Sequence, residues 1–198
     1  MSAVPAGWIS PLPVLSGADV TLRELNATDA ESLYRAIAGD GPREFIPPPP
    51  PTIEGFERFI AINRRACEEG RGGCFGVIPT GADGPRGLFQ LTVVERDPLV
   101  IEWGFILTQS LWGTRLFVTS ATMVLDFLFD ACGATRVRGR CAVENVRAAL
   151  RKLGADAGAI AHESTFFDRP RAGQTLTLRA DAWRARQARA RAHDSRSA

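Results

Sequence analysis

Lysine is almost missing from this chain: Lys152 is the only one, against 23 arginines. So one-sided a choice between two cations reads as a coding habit rather than a functional demand. Histidine is nearly as scarce, with His162 and His193 alone, and no G-x-S-x-G run accompanies them, which makes serine-hydrolase chemistry a poor third reading. His162-Glu163 reads instead as a surface pair. No G-K-[ST] occurs, so there is no Walker lysine to hold a nucleoside triphosphate, and GRGGCFG misses G-x-G-x-x-G at its last position. The four cysteines, Cys67, Cys74, Cys132 and Cys141, form no C-x-x-C pair and have no histidine close by in sequence. That argues against a metal site and against a disulfide framework, and for reduced thiols in a cytoplasm. No run approaches 18 apolar residues, which excludes a membrane-spanning helix. The opening MSAVPAGWISPLPVL is broken by prolines and lacks a basic n-region, so it does not read as a secretory signal.

What remains is a chain of 198 residues, enough for one domain with a substantial core. Its net charge of +2 is unevenly spread. Residues 184–198 hold five arginines and one aspartate, a net +4, leaving 19 basic and 21 acidic groups, a net −2, for residues 1–183. We therefore expect one domain over 1–183 and an Arg-rich tail over 184–198, frayed or disordered. A slightly acidic body has no basic face for nucleic acid.

The elements follow from periodicity and punctuation. Asp19–Leu25 reads as a strand, and Thr28 or Asp29 can cap a helix to about Ala38 with Ala30, Leu33, Tyr34 and Ile37 on one face. Gly39-Asp40-Gly41-Pro42 ends it, and Pro47 to Pro51 form a stiff polyproline loop. Thr52 caps a second helix to about Glu69, with Phe56, Phe59, Ile60 and Asn63 at helical spacing. Cys74–Ile78, Gly87–Glu95 and Leu99–Leu107 make a three-strand antiparallel meander. Thr135–Val143 is a strand joined to Leu99–Leu107 by one helix, so the two should run parallel. A short helix from Glu144-Asn145 to Leu153 and a terminal hairpin, Ala159–Phe167 with Gln174–Ala180, complete the chain.

The organising stretch is Ile101 to Phe129, IEWGFILTQSLWGTRLFVTSATMVLDFLF. A strand apolar at nearly every position stops at Thr108-Gln109-Ser110 and Gly113, then feeds an amphipathic helix. Leu116, Ser120, Met123 and Phe127 are predicted to form its core-facing stripe. The first turn of that helix offers free N–H groups and the positive end of its dipole, a seat suited to a phosphate.

The element order, together with VTLREL…DAESL, IEWGFIL, LWGT, VLDFLFDACGATRVRGRCAVEN and ALRKLGA in that sequence, resembles the GNAT superfamily of acyl-CoA-dependent N-acyltransferases. Within it the chain looks most like the branch of ribosomal-protein N-terminal acetyltransferases, over about Trp8 to Trp183. The resemblance implies an α/β fold with a mixed sheet whose central pair of parallel strands splays apart at the C-terminal ends. It further implies acetyl-CoA as co-substrate and no metal, with the pantetheine arm in the notch and the pyrophosphate on the turn. Carried residue by residue, the cofactor site would comprise Ile106, Leu107, Thr108, Ser110, Leu111, Trp112, Gly113, Thr114, Arg115 and Asn145. The pyrophosphate would take N–H groups from Leu111 to Arg115, with Leu107 and Thr108 facing the pantetheine. At the turn the family's usual residues are replaced by Ser110 and Arg115 while Gly113 is kept, and Leu150 stands where some members carry a tyrosine acid.

An ammonium cannot attack a thioester, so a proton acceptor is needed, and Glu102 is the candidate, with a bulge at Gly104 to open the notch. Its structural alternative is pairing with Arg138 or Arg140. The expected partner is an amine-bearing small molecule or a peptide or protein acceptor, with no membrane, and with a homodimer left open. The competing function is a GNAT-fold module that binds acyl-CoA or a protein but is catalytically weak, a reading kept open by Arg115 and the missing tyrosine.

Overall fold

A computed structural model of the chain describes residues 7–38, 49–111, 113–141, 153, 156–157 and 174–197. In chain order it contains β1 (Leu15–Ser16), β2 (Val20–Glu24), α1 (Ala30–Ala38), α2 (Ile53–Glu68), β3 (Gly72–Pro79), β4 (Gly87–Arg96) and β5 (Leu99–Leu107). There follow α3 (Arg115–Asp126), β6 (Arg136–Cys141), β7 (Asp156–Ala157), β8 (Gln174–Arg179) and α4 (Ala180–Ser197). The strands form one mixed sheet in the order β1-β2-β3-β4-β5-β6-β8-β7. The meander β3-β4-β5 is antiparallel, and β5 and β6 are the parallel pair, as the single-helix crossover requires. Of the predicted hairpin, β8 is the second strand, while 159–167 lies outside the described residues, as do Trp112, Gly39 to Pro42, Pro47, and the helix predicted from Asn145.

Each face of the sheet carries its own core. Val20, Leu22, Phe75, Val77, Phe89, Ile101, Trp103 and Leu107 pack against α3 and the start of α4. Leu25, Cys74, Leu88 and Ile106 look the other way, onto α1 and α2 through Leu33, Ile37, Phe56 and Ile60. Alternation along β5 thus sends its odd-numbered side chains to α3 and its even-numbered ones to the α1/α2 face. Trp183 anchors α4, with its indole N–H donating to Asp126 Oδ1 at 2.8 Å and its ring 6.3 Å from that of Phe129. The change of composition at residue 184 falls inside this helix.

Three local expectations are corrected. The entry to α1 is capped by Asn26, not Thr28 or Asp29. Asn26 Oδ1 accepts from the Thr28 N–H at 3.0 Å, the Asp29 carboxylate takes the Asn26 N–H at 2.8 Å, and a short 3-10 turn, Ala27–Asp29, precedes the α-helix. Asp29 is buried, and the Arg23 guanidinium grips it with two bonds of 2.7 Å. The buried stripe of α3 is Phe117, Ser120, Ala121, Val124 and Leu125; Leu116 and Met123 sit at its margin. Finally, β4 and β5 stay in register through Gly104, and their one irregularity lies on β4 between Val93 and Glu95.

Candidate active site

The opening in the sheet comes from the extent of strand pairing. β5 and β6 are paired only from Val100↔Arg136 to Trp103↔Gly139. Beyond that rung β5 continues beside β4 to Leu107, while β6 continues beside β8 to Cys141. The two strands therefore part at their C-terminal ends without any bulge at Gly104.

Backbone direction shows what lines this notch. The Leu99 carbonyl accepts from Thr135 on the β6 side, and the Thr108 N–H donates to Arg86 on the β4 side, each at 2.9 Å. By alternation Phe105 and Leu107 turn N–H and C=O toward the notch, whereas Ile106 spends both on β4 and Thr108 spends its N–H on Arg86 and its C=O on the Leu111 N–H of the turn. The expected placement is thus half corrected: Leu107 faces the opening with its backbone, Thr108 does not, and Ile106 points its side chain into the α1/α2 core. The Phe105 N–H and C=O have no partner among the described residues. Phe105 is the residue that sequence reasoning missed, because its role depends on where a strand 35 residues later stops pairing.

The turn follows this edge directly in the chain. A 3-10 turn, Gln109–Leu111, leads to Gly113 at φ +72°, a left-handed conformation that costs any residue with a Cβ about 1–2 kcal/mol. Thr114 then caps α3: its hydroxyl accepts from the Leu116 N–H at 3.3 Å and donates to the Leu111 carbonyl at 2.6 Å. Within Leu111 to Arg115, where the phosphate-binding N–H groups are expected, not every N–H is open. Leu111 donates to Thr108 at 3.0 Å and Thr114 to Leu111 at 3.4 Å, so the turn consumes both. The N–H groups of Gly113 and Arg115 have no partner among the described residues. Arg115 occupies the first position of α3 with its side chain exposed, and Ser110 is exposed on the preceding turn. The turn is tied to the strand by an aromatic stack, in which Phe117 of α3 lies 4.7 Å from Phe105 and 6.4 Å from Phe89. Trp112 and Asn145 lie outside the described residues.

On the α1/α2 face beside the notch, Glu102 is half-buried and has no hydrogen-bond or ion-pair partner among the described residues. Arg138, its register neighbour on β6, pairs with Glu95 at 2.8 Å instead. Next along β5, Gly104 is exposed, and a Cβ built there would meet nothing within 4 Å. Gln90 is the register partner of Gly104 on β4, and its side-chain amide meets buried Asn63 of α2. Asn63 sits on the otherwise apolar stripe of α2, and an amide in such a stripe is the one sequence signal that marks this corner. No three His, Cys, Asp or Glu side chains come together as a metal site among the described residues. No helix there is long and apolar enough to cross a membrane.

Comparison with known proteins fits this geometry. A family model described as an acetyltransferase (GNAT) domain matches residues 19–156. No curated protein sequence matches. Among solved structures, one from Vibrio cholerae, described provisionally as a ribosomal-protein-serine acetyltransferase, superposes with a TM-score of 0.76 at 19% identity, covering 86% of this chain and 99% of that one. A GCN5-related N-acetyltransferase from Brucella melitensis gives 0.74 at 21% identity, covering 92% and 85%. The ribosomal-protein-S5-alanine acetyltransferase of Vibrio fischeri gives 0.69 at 15% identity, covering 86% and 98%.

Proposed function

The chain belongs to the GNAT acetyltransferase family, and on that premise we propose that it transfers an acetyl group from acetyl-CoA to the α-amine of a peptide or protein. The observation that carries this reading is the parting of β5 and β6 after Trp103 and Gly139, on the strand that leads through the turn into the N-terminus of α3. The residues present suit the co-substrate. Gly113 and Arg115 offer two N–H groups, without a partner among the described residues, at the positive end of the α3 dipole, where a pyrophosphate is favoured. Arg115 is free to close on it as a charge-assisted clamp. The Phe105 edge can pair with the pantetheine amides as an added strand would, which leaves the thioester in the notch. A backbone N–H of that edge is then available to the carbonyl oxygen as negative charge develops on it.

On the α1/α2 face beside the notch, Glu102 takes the proton of the attacking amine, through a water where the distance requires one. A peptide α-amine has a pKa of about 7.7–8.0, against about 10.4 for lysine, so one carboxylate suffices for it near neutral pH. The departing thiol leaves readily as thiolate at a pKa of about 8.5, which is why a leucine at position 150 is compatible with turnover. Asn145, by the family resemblance, contacts the cofactor from the segment after β6. The peptide acceptor is favoured because two similar structures carry descriptions as ribosomal-protein acetyltransferases.

Thiol release from acetyl-CoA with short peptides beginning in serine or alanine tests this, with the modified amine located by mass spectrometry. Acetylation of the α-amine is expected. In Glu102→Gln the deficit should be largest at pH 6 to 7, where the amine is mostly protonated, and should shrink toward pH 9. Acetyl-CoA binding without turnover of any peptide or amine would leave the chain a binding module, and an equal deficit at every pH would take Glu102 out of the proton path.

A further inference from the structure

Buried amides are costly in an apolar core unless their hydrogen bonds are satisfied, so the placement of Asn63 calls for a reason. It is 5% exposed, on the α2 stripe that otherwise packs Phe56 and Ile60 against the sheet. Its Nδ2 donates to the Phe59 carbonyl at 2.8 Å. That bond sets the amide's orientation, because only the nitrogen end can donate to a carbonyl. Asn63 Oδ1 is thereby turned toward β4, where it accepts from Gln90 Nε2 at 3.3 Å. The same logic then orients Gln90: with its nitrogen engaged by Asn63, its Oε1 is the end left over.

The surroundings of that oxygen are open on one side. Gln90 and Gly104 are register partners, so their side-chain positions share a face and lie about 4.5–5.5 Å apart. Gly104 supplies no side chain, and among the described residues nothing lies within 4 Å of a Cβ built there. Glu102, two residues back on the same face of β5, has no partner among the described residues. A glycine floor is thus flanked by an amide oxygen and a carboxylate, immediately beside the edge where β5 parts from β6. Two acceptors over a vacant floor form a receptor for a group with several N–H donors.

We infer that Gln90, aimed by Asn63, is a contact residue for the acceptor amine. This rests on the acetyltransferase reading above. An ammonium carries three N–H bonds. Glu102 removes one proton, Gln90 Oε1 holds a remaining N–H, and the lone pair released by deprotonation is left to face the thioester carbon in the notch. The amine nitrogen bonds to that carbon, the carbon–sulfur bond breaks with its electron pair leaving on sulfur, and the second proton that the nitrogen sheds as the amide forms passes to that thiolate, so Gln90 orients the nucleophile without exchanging a proton. Asn63 touches no substrate; it is a positioning residue acting through Gln90.

The test measures peptide KM, kcat and the acetyl-CoA Kd for wild type, Gln90→Met, Gln90→Glu, Asn63→Leu and the Gln90→Met/Asn63→Leu double variant. The acceptor is the peptide that wild type turns over fastest. Gln90→Met keeps the length but loses the acceptor oxygen, so its peptide KM should rise about tenfold or more, the weight of a hydrogen bond to a charged group. Its acetyl-CoA Kd, read by calorimetry, should not move. Gln90→Glu gives up the donation to Asn63 Oδ1 but keeps an oxygen acceptor and adds a charge facing the ammonium, which should offset that loss and hold KM at or below the wild-type value. Asn63→Leu should raise KM in the same direction, and the double variant should be no worse than Gln90→Met alone, because the two act in series. A peptide KM within twofold of wild type in Gln90→Met, additive losses in the double variant, or a tenfold higher KM in Gln90→Glu would each overturn the inference. Failure of wild type to turn over any amine would instead overturn the acetyltransferase reading and this inference together.

Discussion

Arg115 decides more about this site than its position at a helix start would suggest. A cation in the first turn opposes the helix dipole, and this one is exposed, with no ion-pair partner among the described residues. An anion delivered to the neighbouring N–H groups is the compensation within reach. Arg115→Ala should therefore weaken acetyl-CoA binding by about 1–3 kcal/mol, and the difference should shrink as salt rises. Calorimetry at two ionic strengths reads both. Tighter binding in the alanine variant would mean that the guanidinium obstructs the groove. At this scale the sequence was only partly legible. Gly113, Arg115 and Glu102 could be singled out because glycine, a cation and a carboxylate are unusual where they stand. Phe105 could not, since it acts through a backbone N–H that any residue would carry. Gln90 and Asn63 matter through an orientation handed from one amide to the next, and that depends on a helix and a strand meeting.

Among the elements, the turn between β5 and α3 concentrates the strain. Gly113 holds a positive φ, and a side chain there has open space but the wrong backbone. Two variants separate these effects. Gly113→Asn tolerates the left-handed conformation and should fold with a largely intact turn, whereas Gly113→Val is both strained and branched toward the phosphates. Valine should lower both Tm and acetyl-CoA affinity, and asparagine should spare Tm while binding changes less. Equal affinity in wild type and a folded valine variant would move the phosphate site elsewhere. Element boundaries were legible where punctuation is strong: the bounds of β5 are those read from its apolar run, and Thr52 caps α2 as its position before a helical stripe implies. The phase of α3 was not. Leu116, Phe117, Val118, Ala121, Met123, Val124 and Leu125 put apolar groups on most of its circumference, so periodicity leaves the buried face open. Packing of Phe117 against Phe105 settles it.

For the whole molecule, the mixed sheet with helices on both faces follows from the order of elements, and the parallel pairing of β5 and β6 follows from a single-helix crossover. The notch does not follow from either. It exists because pairing stops at Trp103↔Gly139, while each strand continues with its other neighbour, a relation among four strands that no local pattern encodes. The notch and the α3 turn are expected to act as one binding surface, with acetyl-CoA lying along both. Amide hydrogen exchange with and without acetyl-CoA tests this most directly, residue by residue. The N–H groups of Phe105, Gly113 and Arg115, without a partner among the described residues, should become protected together on binding, while those of β2 and β3, farther across the sheet, stay as they were. Saturating acetyl-CoA that leaves these three amides exchanging as fast as before, with protection appearing elsewhere, would contradict it.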